Sequence, residues 1–396
     1  MKPEKIARAQ EHLMAASVDG WLLYDFHRCN DLACDFLEIA PGAMATRRFY
    51  YWIPARGKPV KLVHAIEEGI LDAAPGGKHT YASWESMEAQ LRRIIGSSRT
   101  IAMEYSPRCA LPYVAKVDAG TVELVRSLGV EVVSSAPFLL YFTSLLSPEQ
   151  QASQRRAASA CAAVVAKVWD WIRENWGRRA LTEWDVLCEI ENRLSAKGLV
   201  AKEPPIVAVN EHSADPHFTT KPQGRSLQSG DLLLIDLWAK EPGDGAVFGD
   251  LTRVAYLGEH PTEEMKEVFR AVRKAQKAAI ALVRQRMEEK KELQGWEVDR
   301  AARREIRDAG YGEFFIHRTG HNIGTALHGS GTHMDDLEMH DVRPVLPNTC
   351  FSIEPGVYLP KRFGIRLESD VLIDGRGRVE VTGGEQDELI GLLHRS

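Results

Sequence analysis

Apolar residues recur along this chain with two different periods. Near the start, Ile6 to Ala16 repeats at helical spacing, Asp19-Gly20 marks a turn, and Trp21-Leu-Leu-Tyr24 is a continuous apolar run that reads as a strand. Phe49-Tyr-Tyr-Trp-Ile53 and Lys61-Leu-Val-His64 flank Ala55-Arg-Gly57, which predicts a hairpin, and α/β alternation continues to Val132. Further on, two helix patterns match each other. Leu181-Thr-Glu-Trp184-Asp-Val186 runs to Gly198 and Leu293-Gln-Gly-Trp296-Glu-Val298 runs to Gly310, with 14 residues from Trp to Gly in both. Each Gly reads as a helix stop. Upstream, Ser147-Pro148-Glu149 and Pro261-Thr262-Glu263 each set a hydroxyl cap before first-turn acids. Downstream of each helix pair a short apolar run closes on an acid, LLLID at 232–236 and CFSIE at 350–354, and both runs read as buried strands.

The order helix, helix, strand, acid therefore occurs twice, over about 146–258 and 260–375. A long period used only twice predicts duplicated half-domains rather than a solenoid. Each half carries a second acid 14 residues after the first: Asp250 follows Asp236, and Glu368 follows Glu354. A strand that ends on an acid, turns and returns with another aims both carboxylates at one point, because side chains alternate along each strand. Taken one pair at a time, these acids also read as solvated turn residues. Two pairs in register with a helix repeat argue for convergence. Four buried carboxylates repel one another and are costly to desolvate unless a cation lies among them, so the pattern calls for divalent metal.

Between the pairs lies His317-Arg-Thr-Gly-His321-Asn-Ile-Gly-Thr-Ala-Leu-His328, three histidines within 12 residues. Gly320 and Gly324 bracket the central imidazole and suggest tight backbone packing there. IDLWA with GDLTR, HRTGHNIG with the following His328, SIEPGVYLP and GIRLESDVL resemble the ordered signatures of the creatinase, prolidase and aminopeptidase P family of pita-bread metallopeptidases. The resemblance implies an α/β (α+β) fold. Residues 146–396 would form a pita-bread catalytic domain of two duplicated half-domains, preceded over residues 1–145 by a smaller creatinase-like α/β domain. It also implies five metal ligands, Asp236, Asp250, His321, Glu354 and Glu368, and all five positions carry competent donors. Carboxylates with a single imidazole suit two divalent ions, with Mn²⁺ expected and Co²⁺ or Zn²⁺ as alternatives. Two such ions roughly 3.5–4 Å apart share a water and lower its pKa towards neutrality.

By the same resemblance His217, in Val209-Asn-Glu-His212-Ser-Ala-Asp-Pro216-His217-Phe218, contacts substrate and helps stabilise the tetrahedral intermediate. The competing reading is a loop histidine packed on Phe218. His328 would hydrogen-bond the scissile carbonyl or the product carboxylate, and Glu354 would double as ligand and proton shuttle. His317 and His212 read as outer-shell or structural. Arg366, two residues before Glu368 and placed by alternation on the same strand face, would orient the carboxylates or neutralise surplus charge through a bidentate contact. Arg343 is a candidate grip for a dipeptide's C-terminal carboxylate, and a plain surface arginine reads equally well. Arg318 stands where the family often has glycine, Gly329-Ser-Gly331 stands where prolidases place an acid, and the loop carrying Glu241-Pro-Gly-Asp-Gly245 is long. These departures fall on loops expected to line the substrate pocket.

The expected activity is hydrolysis of the bond before proline, in Xaa-Pro dipeptides as a prolidase does. The alternative is an aminopeptidase P, removing one residue from longer peptides with proline second. A creatinase-type hydrolase and a non-catalytic pita-bread binding protein are the weaker readings, since the resemblance implies that both lack ligands this chain retains. With 396 residues and 44% hydrophobic content the chain can bury two cores. Its net charge of −5 without a long basic run argues against a nucleic-acid partner. Six cysteines without a CxxC pair, and no apolar segment after Met1, read as reduced thiols in a cytoplasmic protein that does not span a membrane. A homodimer is implied by the resemblance alone.

Overall fold

The structure is a computed structural model, and it describes residues 3–393. The chain separates into two compact units, Met1–Thr143 and Ser144–Ser396, two residues before the boundary set from sequence.

The first unit is one six-stranded sheet with helices. Its strands are β1 (Gly20–Asp25), β2 (Phe49–Pro54), β3 (Val60–His64), β4 (Gly77–Tyr81), β5 (Thr100–Met103) and β6 (Glu131–Ser134), in spatial order β4-β3-β2-β1-β5-β6. Only β2 runs antiparallel to its neighbours, and it forms the predicted hairpin with β3. The helices are α1 (Pro3–Ala15), α2 (Asp31–Phe36), α3 (Trp84–Ile95), α4 (Ala119–Ser127) and α5 (Ala136–Thr143). On α1 the buried residues Ile6, Ala9 and Leu13 form one stripe, as the helical period requires. Trp21, Tyr24 and Trp52 are core residues. Gly20 is obligatory, because a Cβ there would lie 2.1 Å from the Trp52 ring.

The second unit carries the duplication. Its first half has α6 (Pro148–Asn175), α7 (Glu183–Ala196), β7 (Ile206–Val209), β8 (Leu232–Ala239) and β9 (Gly249–Tyr256). The second half has α8 (Glu263–Glu288), α9 (Gly295–Asp308), β10 (Asn322–Ile323), β11 (Thr349–Ile353), β12 (Gly356–Leu359), β13 (Phe363–Arg366) and β14 (Ser369–Ile373). Beyond these lie β15 (Val379–Thr382) and β16 (Ile390–Gly391), giving two four-stranded sheets, β16-β9-β8-β7 and β10-β11-β14-β15, and a separate β12–β13 hairpin. Ser147 and Thr262 cap α6 and α8 through their side chains, each such cap being worth about 1 kcal/mol. Gly198 and Gly310 follow α7 and α9 at φ +69° and +87°, where a side chain would be strained. Among the described residues, no helix is long and apolar enough to cross a membrane.

Alternation on β8 explains where the acids point. Leu233, Ile235, Leu237 and Ala239 pack in one core with α6 and α7, while Leu232 and Leu234 belong to the core built around α8 and α9. Asp236 continues that second face. The strand also runs three residues past Asp236 rather than stopping on it, because Leu237, Trp238 and Ala239 keep pairing with β9 before Lys240-Glu-Pro breaks the ladder.

Candidate metal centre

Asp236 pairs with Thr252 in the β8–β9 ladder, so Asp250, two residues from Thr252, lies on the same face as Asp236 one step along. The second acid pair is built differently. Strand β11 pairs with β14, and their last ladder pair is Ile353 with Ser369. Glu354 and Glu368 are the residues immediately outside that pair, and the β12–β13 hairpin fills the space in sequence between them. His321 enters just before β10, its backbone N–H donating to Ser352 Oγ at 3.0 Å.

These residues converge. Asp250, His321 and Glu368 are buried and each offers a ligand atom, all within 4.8 Å of one another. His321 Nε2 lies 3.5 Å from both Asp250 Oδ2 and Glu354 Oε1. The other ring nitrogen, Nδ1, faces the Asn322 carbonyl at 3.3 Å, which makes it the protonated nitrogen and leaves a lone pair on Nε2 aimed at two carboxylates. Burial holds the imidazole below its usual pKa, so it stays neutral as a ligand must. Burial and the neighbouring Asp236 push Asp250 well above the usual carboxylate range, and burial with Asp250 and Glu354 does the same to Glu368. Burial also raises Glu354, whose Oε1 accepts from Ser352 Oγ at 3.0 Å. Asp250 Oδ1 is buried with no hydrogen-bond partner among the described residues. A lone pair facing acceptors and an orphaned carboxylate oxygen are unfavourable together unless a cation joins them, so the donor set fits divalent metal.

Arg366 holds the surrounding network. Its Nη2 donates to Asp236 Oδ2 at 2.5 Å, Nε to Thr252 Oγ1 at 3.0 Å, and Nη1 to Tyr358 Oη at 3.0 Å and the Pro216 carbonyl at 3.4 Å. Thr252 Oγ1 in turn lies 2.9 Å from Asp236 Oδ1 and 2.7 Å from Glu368 Oε2. Tyr358 Oη is 2.7 Å from His317 Nε2, and His317 Nδ1 is 2.7 Å from the Arg318 carbonyl. The carbonyl can only accept, so Nδ1 carries the proton and the tyrosine donates to Nε2. Burial and Arg366 lower His317 to about pKa 3, while burial raises Tyr358 to about 12, so neither changes charge near neutrality.

This arrangement corrects two expectations. Arg366 does not grip a carboxylate bidentately and does not pair with Glu368, because β13 ends at Arg366 and the chain changes sheets before Glu368, so alternation does not carry across. Arg343 is not a substrate grip. It is 2% exposed, its Nε and Nη2 donate to Asp341 at 2.8 and 2.6 Å, and Nη1 donates to the Ser330 carbonyl at 2.7 Å. His217 is exposed, while the contact with Phe218 belongs to His212, which stacks on that ring at 4.3 Å and holds Glu183 through Nδ1 at 2.8 Å. His328 lies edge-on to His321 with ring centroids 4.3 Å apart. Desolvation, then His321, Arg318 and His217, lower it to about pKa 3.

Four residues of the site escaped the sequence reading: Thr252, Ser352, Tyr358 and Asp370. Asp370 is fully buried, accepting from Gln154 Nε2 at 2.7 Å and from the Asp250 backbone N–H at 2.9 Å. Alternation was the available signal for three of them, since Thr252, Ser352 and Asp370 each stand two residues from a predicted ligand.

Removing the hub should be severe. Arg366→Met is expected to cost about 3–5 kcal/mol of stability, because it strands the buried Asp236 charge, and Arg366→Lys to recover only part of it, lacking the planar fork. Urea unfolding of both variants measures this, and a loss below about 1 kcal/mol would contradict the network.

The sequence profile of metallopeptidase family M24 matches residues 152–375. A probable dipeptidase PepE of Mycobacterium bovis is 30% identical over 263 residues, covering 65% of this chain and 64% of that protein. An Xaa-Pro dipeptidase of Lactobacillus delbrueckii subsp. lactis is 36% identical over 195 residues, 48% of each chain. The chain thus spans less than two thirds of the length of these curated relatives. The crystal structure of dipeptidase PepE from Mycobacterium ulcerans superposes with a TM-score of 0.73 at 25% identity, covering 98% of this chain and 97% of that one. The pita-bread fold expected from the resemblance is the fold these proteins share.

Proposed function

The chain belongs to metallopeptidase family M24, and from that premise we propose that it is a dinuclear metal-dependent hydrolase of the bond before proline, acting on Xaa-Pro dipeptides. The observation that carries this reading is the buried cluster itself: His321 Nε2 lies 3.5 Å from two carboxylates, beside the orphaned Asp250 Oδ1. Asp236, Asp250, His321, Glu354 and Glu368 would hold two divalent ions. Bound there, such ions supply Lewis-acid polarisation of the scissile carbonyl and lower the pKa of water at the site.

The chain's own groups account for the rest. Glu354 is the shuttle: its side chain is 15% exposed, its Oε1 is fixed by Ser352, and burial raises its pKa, so it takes a proton from attacking water and delivers it to the departing nitrogen. That delivery matters for proline, whose tertiary amide has no N–H and leaves as a ring nitrogen. His328, neutral over the working range, offers an N–H to the oxygen on which negative charge develops, and His217 lies close enough to alter its pKa. Arg366 fixes Asp236 and Thr252 before substrate arrives.

The internal pairing of Arg343 favours a second reading, an aminopeptidase P, because it removes the expected anchor for a dipeptide's carboxylate. Protein reloaded with Mn²⁺, Co²⁺ or Zn²⁺ and given Ala-Pro, Gly-Pro and Arg-Pro-Pro, with products followed by mass, separates the two. Cleavage of the dipeptides is the expected result. Release of Arg from the tripeptide alone selects the alternative, and no cleavage by fully loaded protein rejects both.

A further inference from the structure

One glutamine outside the ligand set binds the carbonyls of the residues that immediately precede both glutamates. Gln276, on α8, is 1% exposed. Its Nε2 donates to the Ile353 carbonyl at 3.2 Å and to the Leu367 carbonyl at 3.0 Å. Its Oε1 accepts from Arg273 Nη1 at 2.8 Å. The orientation of this amide is dictated by chemistry, since an arginine only donates and the two carbonyls only accept. Arg273 is itself held by Glu385 at 2.8 Å and Asp387 at 2.8 Å.

The two carbonyls belong to particular peptides. Ile353 C=O and Glu354 N–H are one peptide unit, and Leu367 C=O and Glu368 N–H are another. Each unit's N–H is also taken, by the Thr319 carbonyl at 2.7 Å and the Thr252 carbonyl at 3.3 Å respectively. The β11–β14 ladder stops at Ile353 and Ser369, where the chain leaves for the β12–β13 hairpin, so no ladder bond ties these two peptides to each other. The Gln276 amide spans that gap with its two hydrogens.

We infer that Gln276 is a positioning residue that sets the separation of Glu354 and Glu368, and through it the spacing of two cations bound between them. The inference rests on the metal-centre reading given above. Gln276→Leu keeps a buried side chain of similar size and removes both donors. Full-length Gln276→Leu, reloaded with Mn²⁺, is expected to bind the ion about 10–100-fold more weakly, the range for a lost outer contact to a ligand. Its EPR spectrum is expected to change from the spin-coupled signal of a Mn²⁺ pair to the six-line signal of isolated ions.

Val283→Ala, a buried position on the same helix, is the stability control: it loses folding free energy through a cavity but keeps wild-type Mn²⁺ affinity and spectrum. If Gln276→Leu does not fold, Gln276→Glu replaces it, since it keeps the length and the Arg273 partner but has no N–H pair to give, and the same loss is expected. Wild-type affinity and spectrum in the glutamine variant overturn the inference alone. Parent protein that takes up no Mn²⁺ overturns the metal-centre reading, and the inference with it.

Discussion

Asp250→Asn is expected to bind Mn²⁺ at least about 10²-fold more weakly than the parent and to lose about 10³-fold or more in kcat/KM, while its metal-free form is as stable as the metal-free parent or more so. The first two effects follow from the role proposed for the carboxylate. Contacts that only orient a ligand cost 10–100-fold in metal affinity when lost, so a ligand should cost at least as much, and the electrostatic work of a bound ion is worth several kcal/mol of barrier. The third effect follows from the crowding around this residue. Asp250 is buried, burial and Asp236 push its pKa well above the usual range, and one of its oxygens has no partner. Asparagine has the same shape, cannot ionise within the cluster of acids, and leaves untouched the backbone N–H that residue 250 donates to Asp370. Loss of function with no loss of folding separates a ligand from a structural acid. Metal content by elemental analysis, kcat/KM on Ala-Pro and thermal midpoints with and without chelator test it, and parent-level turnover at full metal content would falsify the assignment.

How far this site could be read from sequence depends on how local each signal is. Helix ends were legible because capping is a matter of a few adjacent atoms: Ser147 and Thr262 cap, and Gly198 and Gly310 stop, where the pattern placed them. The duplication was legible because both halves keep the same spacing of caps and acids. The route between the acids was less so. LLLID continues into Leu-Trp-Ala, and only Lys240-Glu-Pro carries a turn signal, so the end of β8 was there to be read beyond Asp236. The partner of Arg366 was not there to be read, because period-two reasoning assumes one strand and Leu367-Glu368 is the crossing between two sheets. Arg343 was misread for the opposite reason: its partner, Asp341, is two residues away, but a loop pattern does not say whether such a pair is buried. Gln276 acts through two carbonyls far away in sequence, and nothing in a single chain's pattern marks such contacts.

Removing metal is expected to cost more stability the higher the pH, because the buried carboxylates of the stripped protein favour the folded state only while they hold protons. In the metal-free protein burial, together with mutual repulsion, raises the pKa values of Asp250, Glu354 and Glu368, so the folded state holds protons that the unfolded state, with carboxylates near pKa 4, has already released. Between the unfolded and the raised folded pKa values the native state therefore binds more protons, and the free energy of unfolding decreases with pH by up to about 1.4 kcal/mol per unit for each proton held. Buried histidines push the other way. His317 and His328 are lowered to about 3, so below about pH 6.5 the unfolded chain gains protons that the folded chain refuses, and stability drops as pH falls. Neither is a ligand, and with pKa values of about 3, which a nearby cation would only lower, both stay neutral in the folded protein from pH 4.5 to 8, so they cancel when the metal-free curve is subtracted from the loaded one. A bound cation replaces the protons on the carboxylates and abolishes the first effect. The difference in stability between Mn²⁺-loaded and chelator-treated protein should accordingly widen from about pH 4 upward, reaching several kcal/mol at neutrality, where loaded protein keeps its fold and stripped protein melts earlier. Denaturant titrations of both forms from pH 4.5 to 8 measure it. A difference that stays constant across that range would mean that the carboxylates ionise freely in the stripped protein, and the crowding on which the metal-centre reading depends would be absent.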